Sequence, residues 1–473
     1  MTIYKKLKYI SSDCGSGKTH TLIQQIKRTD DRYIIVQGTL QLVEQTHRDL
    51  GSVSKMITSR SCTGSVEKDL HAFLLNPTTH QVLIITDKAF MRITDLSLLR
   101  QWRIYLDDVV SFHTFNVINT EKKFEVEHQL FRDFDELSDQ YLTAKSVTEF
   151  NDDLVQAMST KFGFIQDYDH FVMNSNFFTK IGKVSNQDVY SNECKQLTIL
   201  AWVDIAKYSN LDITFMANKF EESLIYKGNS NLFEEVKLTG MLERTVPVSD
   251  RLKVYYFSEE RFTRTYRDKN PEALAKVAEW INSNLNASEY FYTTNSDSKG
   301  ILNGKYIDPV SRGMNTFQNY TKCVWLASMK PSPVETKQLE LMFTLTRDEV
   351  VQARERENLY QFINRSNLRD YASTNMIEVY VFDKEQAQSL STNIEYIDIG
   401  LDGTDANKFV PLILSRAEAK RFERITEEKY PTIEEFDKWM SKRNNMEMNQ
   451  AKRDHFYTKY SKLQNGKSPS VPQ

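Results

Sequence analysis

The stretch "KYISSDCGSGKTHTL" (residues 8–22) decides how the rest of the chain reads. A short apolar lead-in runs into small residues, then Lys18 and Thr19, then "THTLIQQIKR", which is able to be helical. Gly15 and Gly17 lack a Cβ, so they can take backbone angles closed to other residues and leave room for a bulky anion. Backbone N–H groups of such a loop, here Ser12 to Gly17, and of the helix start after it converge on one point, which favours phosphate. Lys18 adds a flexible positive charge for terminal phosphates, and Thr19 a hydroxyl for a magnesium ion. The strict pattern has glycine where this chain has Ser12. The alternative is a glycine-rich turn with a solvated lysine. It leaves unexplained the strand-like run before the loop and the helix-compatible run after it.

A phosphate loop of this kind needs carboxylates at the end of a nearby strand. "WRIYLDDVV" supplies them: Ile104, Tyr105 and Leu106 read as a buried parallel strand ending in Asp107 and Asp108. Asp107 would hold magnesium and Asp108 would polarise an attacking water. The plainer alternative is a pair of acids capping a strand. Between the two sites, "YIIVQG" (33–38) and "QVLIIT" (81–86) read as strands and "LQLVEQTHRDL" as a helix. Strands separated by helices imply parallel β-α-β units, whose carboxyl-end loops share one face with the phosphate loop.

The chain has 473 residues, enough for two or three domains. With 40% hydrophobic and 26% charged residues it has the composition of a globular protein. The net charge of −3 rules out a globally basic nucleic-acid coat, but not a motor that grips a backbone in a cleft through local donors. No apolar run reaches membrane-span length and the first residues lack an apolar signal core, so no membrane partner and a cytoplasmic location are expected. Cys14, Cys62, Cys194 and Cys323 form no C-x-x-C pair and read as reduced thiols. His113, His128 and His170 have no ligand spacing.

These residues also carry a family resemblance. "SSDCGSGKT" looks like motif I of the superfamily 2 helicases, and "QGTLQLVEQ" resembles their motif Ia, with Thr39, Leu42 and Gln45 in place. "IITDKAF", around Thr86, is similar to the next motif, and "LDDVV" occupies the motif II position. "ITFMANKFEES" has Met216-Ala217-Asn218 where the family tends to have Ser-Ala-Thr. "SRGMN" (Ser311–Asn315) resembles motif V, and "QFINRSNLR" resembles motif VI, a glutamine followed by two arginines. The Asn-, Lys- and Tyr-rich composition is similar to that of phage- or virus-encoded members, for which the location would be the host cytoplasm.

The resemblance implies an α/β fold of two tandem RecA-like domains with parallel sheets, at residues 1–240 and 250–415, with ATP and Mg2+ between them. It implies a nucleic-acid-dependent ATPase, a helicase on DNA with RNA as the other candidate. Lys18, Asp107, Asp108, Gln361, Arg365 and Arg369 would be catalytic. Ser12, Gly15, Ser16, Gly17, Lys18 and Thr19 would bind ATP, and Thr19 and Asp107 the metal. Thr39, Gln45, Thr86, Ser311, Arg312 and Gly313 would meet nucleic acid, while Ala217, Asn218 and Asn315 would couple the two sites. The rivals are a duplex translocase that does not unwind and a nucleotide-gated binding protein with little turnover.

Two departures bear on mechanism. Asp108 stands where the family has glutamate, which is longer by one methylene. Gln361, Arg365 and Arg369 are spaced by four, so on one helix they would project from one side; the family's second arginine usually falls one position earlier. Strands are expected again at "RLKVYYFS" (251–258), "EYFYTTN" (289–295) and "KCVWLAS" (322–328), with a helix in "PEALAKVAEWINSNL". Residues from about 116 to 205 read as a mostly helical insertion on the first domain, and 416–473 as a charged helical tail with a disordered end.

Overall fold

The computed structural model describes residues 5–62, 64–77, 80–119, 131–138, 141–146, 163–174, 179–184, 187–191, 196–310, 316–402, 432–441, 456–457 and 459–460. The chain divides into a unit of residues Met1–Ile399 and another of Gly400–Gln473.

The larger unit contains two parallel sheets. The first is built from β1 (Leu7–Ser11), β2 (Tyr33–Gln37), β3 (Ser54–Met56), β4 (Val82–Thr86), β5 (Arg103–Asp107), β13 (Asp212–Ala217) and β14 (Phe233–Glu235), in the order β14-β1-β13-β5-β2-β4-β3. Between them run α1 (Lys18–Ile26), α2 (Leu40–Leu50), α3 (Val66–Leu75) and α4 (Asp87–Met91). Tyr33, Ile34, Ile35 and Val36 in β2, with Val82, Leu83, Ile84 and Ile85 in β4, are fully buried. A parallel strand covered on both faces has no polar side to show, hence the continuous apolar runs. The parallel register places Ser11 beside Ala217, Met216 beside Asp107, and Asp107 beside Gln37. Every chemical residue at a strand end therefore emerges at one edge.

The second sheet has the order β17-β16-β18-β19-β15-β20, all parallel, with β15 (Leu252–Ser258), β16 (Tyr290–Thr294), β17 (Lys305–Tyr306), β18 (Lys322–Leu326), β19 (Ile377–Asp383) and β20 (Ile394–Tyr396). The helix Ala273–Asn284 joins β15 to β16 as expected. Between β18 and β19 lie the helix Pro333–Phe343 and a longer seam helix. The latter is α-helical over Arg347–Val351, widens to a π-helical turn over Gln352–Arg356, and resumes over Glu357–Ile363. A buried Lys330 ammonium anchors the π turn from behind, contacting Glu355 at 2.8 Å and Asp383 at 2.9 Å.

The insertion differs from the helical expectation. Its described residues form an antiparallel sheet in the order β6-β12-β9-β8-β7, from β6 (His113–Asn119), β7 (Phe131–Ser138), β8 (Tyr141–Ser146), β9 (His170–Asn174) and β12 (Gln196–Trp202). A separate antiparallel hairpin joins β10 (Thr179–Val184) and β11 (Gln187–Ser191). The stretch "FRDFDELSDQYLTAKS" looked helical because its charges, Arg132, Asp133, Asp135 and Glu136, sit on edge strand β7, where charge blocks further pairing. Two irregularities in the β7–β8 pairing, with Asp133 at φ 52°, also break the period of two that marks a strand.

This sheet packs on the second lobe. Leu339, Leu345 and Val350 share a buried cluster with Tyr141, Val172 and Leu200. Gln338, fully buried, donates to the carbonyls of Val172 (3.2 Å) and Thr198 (3.5 Å). In the smaller unit, the described part of the expected helical tail holds the helix Ile433–Ser441, whose Phe436 stacks on Tyr460 with ring centroids 4.5 Å apart. The nine terminal residues, and 403–431 around the expected boundary at 415, lie outside the described residues. Among the described residues, no helix is long and apolar enough to cross a membrane.

The docked insertion yields a first prediction. Leu339→Ala removes a side chain that is 1% exposed, at a cost of about 2–5 kcal/mol. Urea titration should show that loss, and hydrogen exchange should quicken at the amides of β9 and β12.

Candidate nucleotide site

The loop of residues 12–17 leaves β1 and turns into α1 through two left-handed residues, Gly15 (φ 82°) and Gly17 (φ 86°). At Gly15 the space is limited too. A Cβ there would meet the Arg369 side chain at 3.2 Å and the Tyr371 ring at 3.3 Å. The Lys18 ammonium lies in the loop's own concavity, donating to the carbonyls of Ser12 (2.9 Å) and Asp13 (3.2 Å). Ser12 Oγ and Ser16 Oγ are 3.0 Å apart.

Across from the loop, Thr19 Oγ1 donates to Asp107 Oδ2 at 2.7 Å, and Gln37 Nε2 donates to the same oxygen at 2.9 Å. Gln37 is fully buried and also donates to Thr46 Oγ1. Burial, with the neighbouring Asp108 charge, raises the Asp107 carboxyl above its ordinary range. A cation beside it would restore the charged form. The donor set is one hydroxyl and one carboxylate, and no group of three or more His, Cys, Asp or Glu that could hold a metal ion occurs among the described residues. That suits Mg2+, which keeps waters and substrate oxygens in its shell, better than a metal needing a full protein cage. Asp108 has φ 57°, left-handed for a residue with a side chain, and its N–H donates to Met216 O at 2.8 Å. Strain of this kind persists only where the surroundings hold it.

Lys18, Thr19, Asp107 and Asp108 line a cleft of about 510 Å³ whose opposite wall is Gln361, Asn364, Arg365 and Arg369 from the second lobe. Arg365 is 4% exposed. Gln361, Arg365 and Arg369 share the cleft, yet not through one helix face. The seam helix stops at Ile363; Arg365 follows on a turn and Arg369 closes a 3₁₀ turn over Asn367–Arg369. The four-residue spacing is therefore not what aligns them.

Other expected positions fall as follows. Thr39 caps α2 and Thr86 caps α4, each hydroxyl accepting a backbone N–H, from Leu42 and Ala89 respectively. Gln45, expected on sequence to meet nucleic acid, stands on α2 and lines the cleft together with Thr46 and Asp49. Ala217 O accepts from Ser12 N at 3.1 Å, tying β13 to the loop. Ser311, Arg312, Gly313 and Asn315 lie outside the described residues.

Sequence reasoning missed a set of residues that join the lobes. Arg244 pairs with Asp13 and donates to Cys14 O (3.0 Å), Asn364 Oδ1 (2.8 Å) and Leu368 O, with its guanidinium 3.9 Å over the Tyr371 ring. Tyr360 donates to Asp13 Oδ1 at 2.8 Å and Tyr371 to Cys14 O at 2.9 Å. Asn218 Nδ2 donates to both oxygens of Glu357, at 3.0 and 2.9 Å, and Gln361 Nε2 to one of them at 2.8 Å. Burial pushes the Glu357 carboxyl up to about 7; the Gln361 and Asn218 hydrogen bonds oppose that and the Asp108 charge adds to it. Asn218 and Gln361 were expected from the sequence; Arg244, Tyr360, Tyr371 and Glu357 were not.

No protein-family model and no curated protein sequence matches the chain. Solved structures do match its fold. The structure "XPD_APO" superposes at TM-score 0.50 with 14% identity, over 83% of this chain and 97% of that one. "XPD_Helicase" gives 0.47 and 11% over 83% and 96%. S. cerevisiae Dbp5 bound to RNA and ADP BeF3 gives 0.38 and 8% over 83% and 85%. The likeness is one of fold: two RecA-like domains in a helicase-like arrangement.

The Glu357 carboxyl titrates in a usable range. Its folded value lies above its ordinary 4.5, so between about pH 4.5 and 7 the folded chain holds a proton that the unfolded chain has released. The group thus opposes folding above about pH 7, and the penalty is relieved as pH falls from 7 towards 4.5. Glu357→Gln should remove this component, seen as a changed slope of unfolding free energy against pH in that window alone.

Proposed function

We propose that the chain is an ATP-dependent nucleic-acid motor of the superfamily 2 type, a DNA helicase that hydrolyses ATP in the cleft between its lobes. One observation carries this reading: Lys18, Thr19, Asp107 and Asp108 from one lobe and Gln361, Arg365 and Arg369 from the other line the same cleft. The "SRGMN" and "QGTLQLVEQ" blocks add sequence support for a polymer-tracking face.

In this reading the loop N–H groups of Gly15, Ser16 and Gly17 cradle phosphate, and Lys18 moves from its loop carbonyls to the terminal phosphates. Thr19 and Asp107 would hold Mg2+, which neutralises phosphate charge when bound. Asp108 orients and deprotonates the attacking water, its left-handed backbone turning a short side chain toward the cleft. Arg365 and Arg369 face the charge that builds on the transferring phosphoryl group, a contribution of roughly 10³ to 10⁵ in rate for such fingers. Ala217 and Asn218 relay cleft closure to the strand ends, where Thr39, Thr86 and the Ser311–Asn315 block would follow a phosphodiester backbone.

ATPase rates measured without polymer and with single-stranded DNA, duplex DNA and RNA test this. DNA should raise the wild-type rate; if neither DNA nor RNA does, the motor reading fails. Lys18→Ala should abolish turnover. Asp108→Asn should lose about 100-fold or more in kcat while retaining ATP affinity. A strand-displacement assay beside a triplex-displacement assay separates unwinding from translocation alone.

A further inference from the structure

Behind the nucleotide cleft lies a second cavity of about 370 Å³, with Asp108 and Gln361 lining both. Glu357 and Asn218 belong to its wall. Glu357 begins the resumed α-helical part of the seam helix, one turn before Gln361. Its carboxylate collects donors from both lobes: Asn218 Nδ2 from the end of β13, and Gln361 Nε2 from its own helix.

The bond to Gln361 has a consequence for the cleft. A primary amide carries its donor and acceptor on opposite sides of one carbon. Once Glu357 takes the NH2 group, the carbonyl oxygen is the end left for the cleft, where it can accept the O–H of a water. If the amide turned over, the cleft would meet a donor, and the carboxylate would face a carbonyl, acceptor against acceptor. Asn218 holds the carboxylate still while this happens: it is 5% exposed and gives its NH2 to both oxygens.

We propose, resting on the hydrolytic reading above, that Glu357 is a positioning residue that sets the sense of the Gln361 amide, so that its carbonyl faces the attacking water. The role requires the ionised carboxylate, because a protonated one can donate to the Gln361 carbonyl and permit the turned-over amide. The charged and titratable groups facing Glu357 are Asp108 after β5, Cys14 in the phosphate loop and Lys219 after Asn218. Burial places its titration near pH 7, so turnover should fall on the acid side of that value.

The test is a double-mutant cycle on the full chain, following DNA-stimulated ATPase, with ATP affinity measured separately. Glu357→Gln should lower kcat by about 10- to 100-fold with KM for ATP unchanged, and should remove the acid limb near pH 7. In a Gln361→Ala background, where no amide is left to orient, the same substitution should have no further effect. Glu357→Asp, which keeps the charge, should recover part of the rate. Additive losses, or an acid limb that persists in Gln361→Ala, would overturn the proposal while leaving the motor reading intact. If Glu357→Gln does not fold, the pH profile of Gln361→Ala against wild type decides by the same criterion. A wild type with no ATPase at all would overturn the reading of the cleft and this inference with it.

Discussion

The guanidinium of Arg244 is the point on which the site's geometry turns. It is a rigid fork of N–H donors. Here it is satisfied from two lobes at once, by Asp13 and Cys14 of the loop before α1 and by Asn364 and Leu368 at the turn after the seam helix. Arg251, 2% exposed, holds the same turn from its other side through the carbonyls of Asn367, Asp370 and Asn375. The segment carrying Arg365 and Arg369 is thus held between two buried cations.

Two further contacts cross the seam. The insertion sheet is bonded to the helix Pro333–Phe343 through Gln338 and the Leu339 cluster, and Gln352 in the π turn donates to Glu222 of the first lobe at 2.6 Å. A π turn widens the helix locally and is frequent at functional sites. In this chain the π turn carries Glu355, a carboxylate buried within the second lobe, and is followed directly by Glu357, which is bonded to Asn218 of the first lobe. Lobe movement must shear the insertion contact or carry the insertion along, which makes the insertion a mechanical part of the seam and not an appendage.

Legibility in the sequence followed the range of the interactions. The strands Tyr33–Gln37, Val82–Thr86 and Lys322–Leu326 were readable because burial on both faces demands unbroken apolar runs. The turn from β1 into α1 was readable because left-handed angles at Gly15 and Gly17 demand glycine. The insertion was misread because edge-strand charge and bulges hid its alternation. Arg244 gave no sign of itself, since a lone arginine in a connecting stretch has no period to detect. Glu357 was hidden among the charges of "RDEVVQARERENLYQ".

The sequence by itself determined what is local: the glycine-dependent loop, the buried strands and the acids that end β5. These follow from backbone sterics and from the period at which side chains meet water, and both act within a few residues. Tertiary structure decided which side chains share a cleft, that Arg365 and Arg369 reach it from a turn and a 3₁₀ segment, and that Glu357 faces Asn218. Those pairings join residues more than a hundred positions apart, and what selects them is the cost of leaving a buried charge or N–H without a partner. That cost is defined only once the lobes have closed around it.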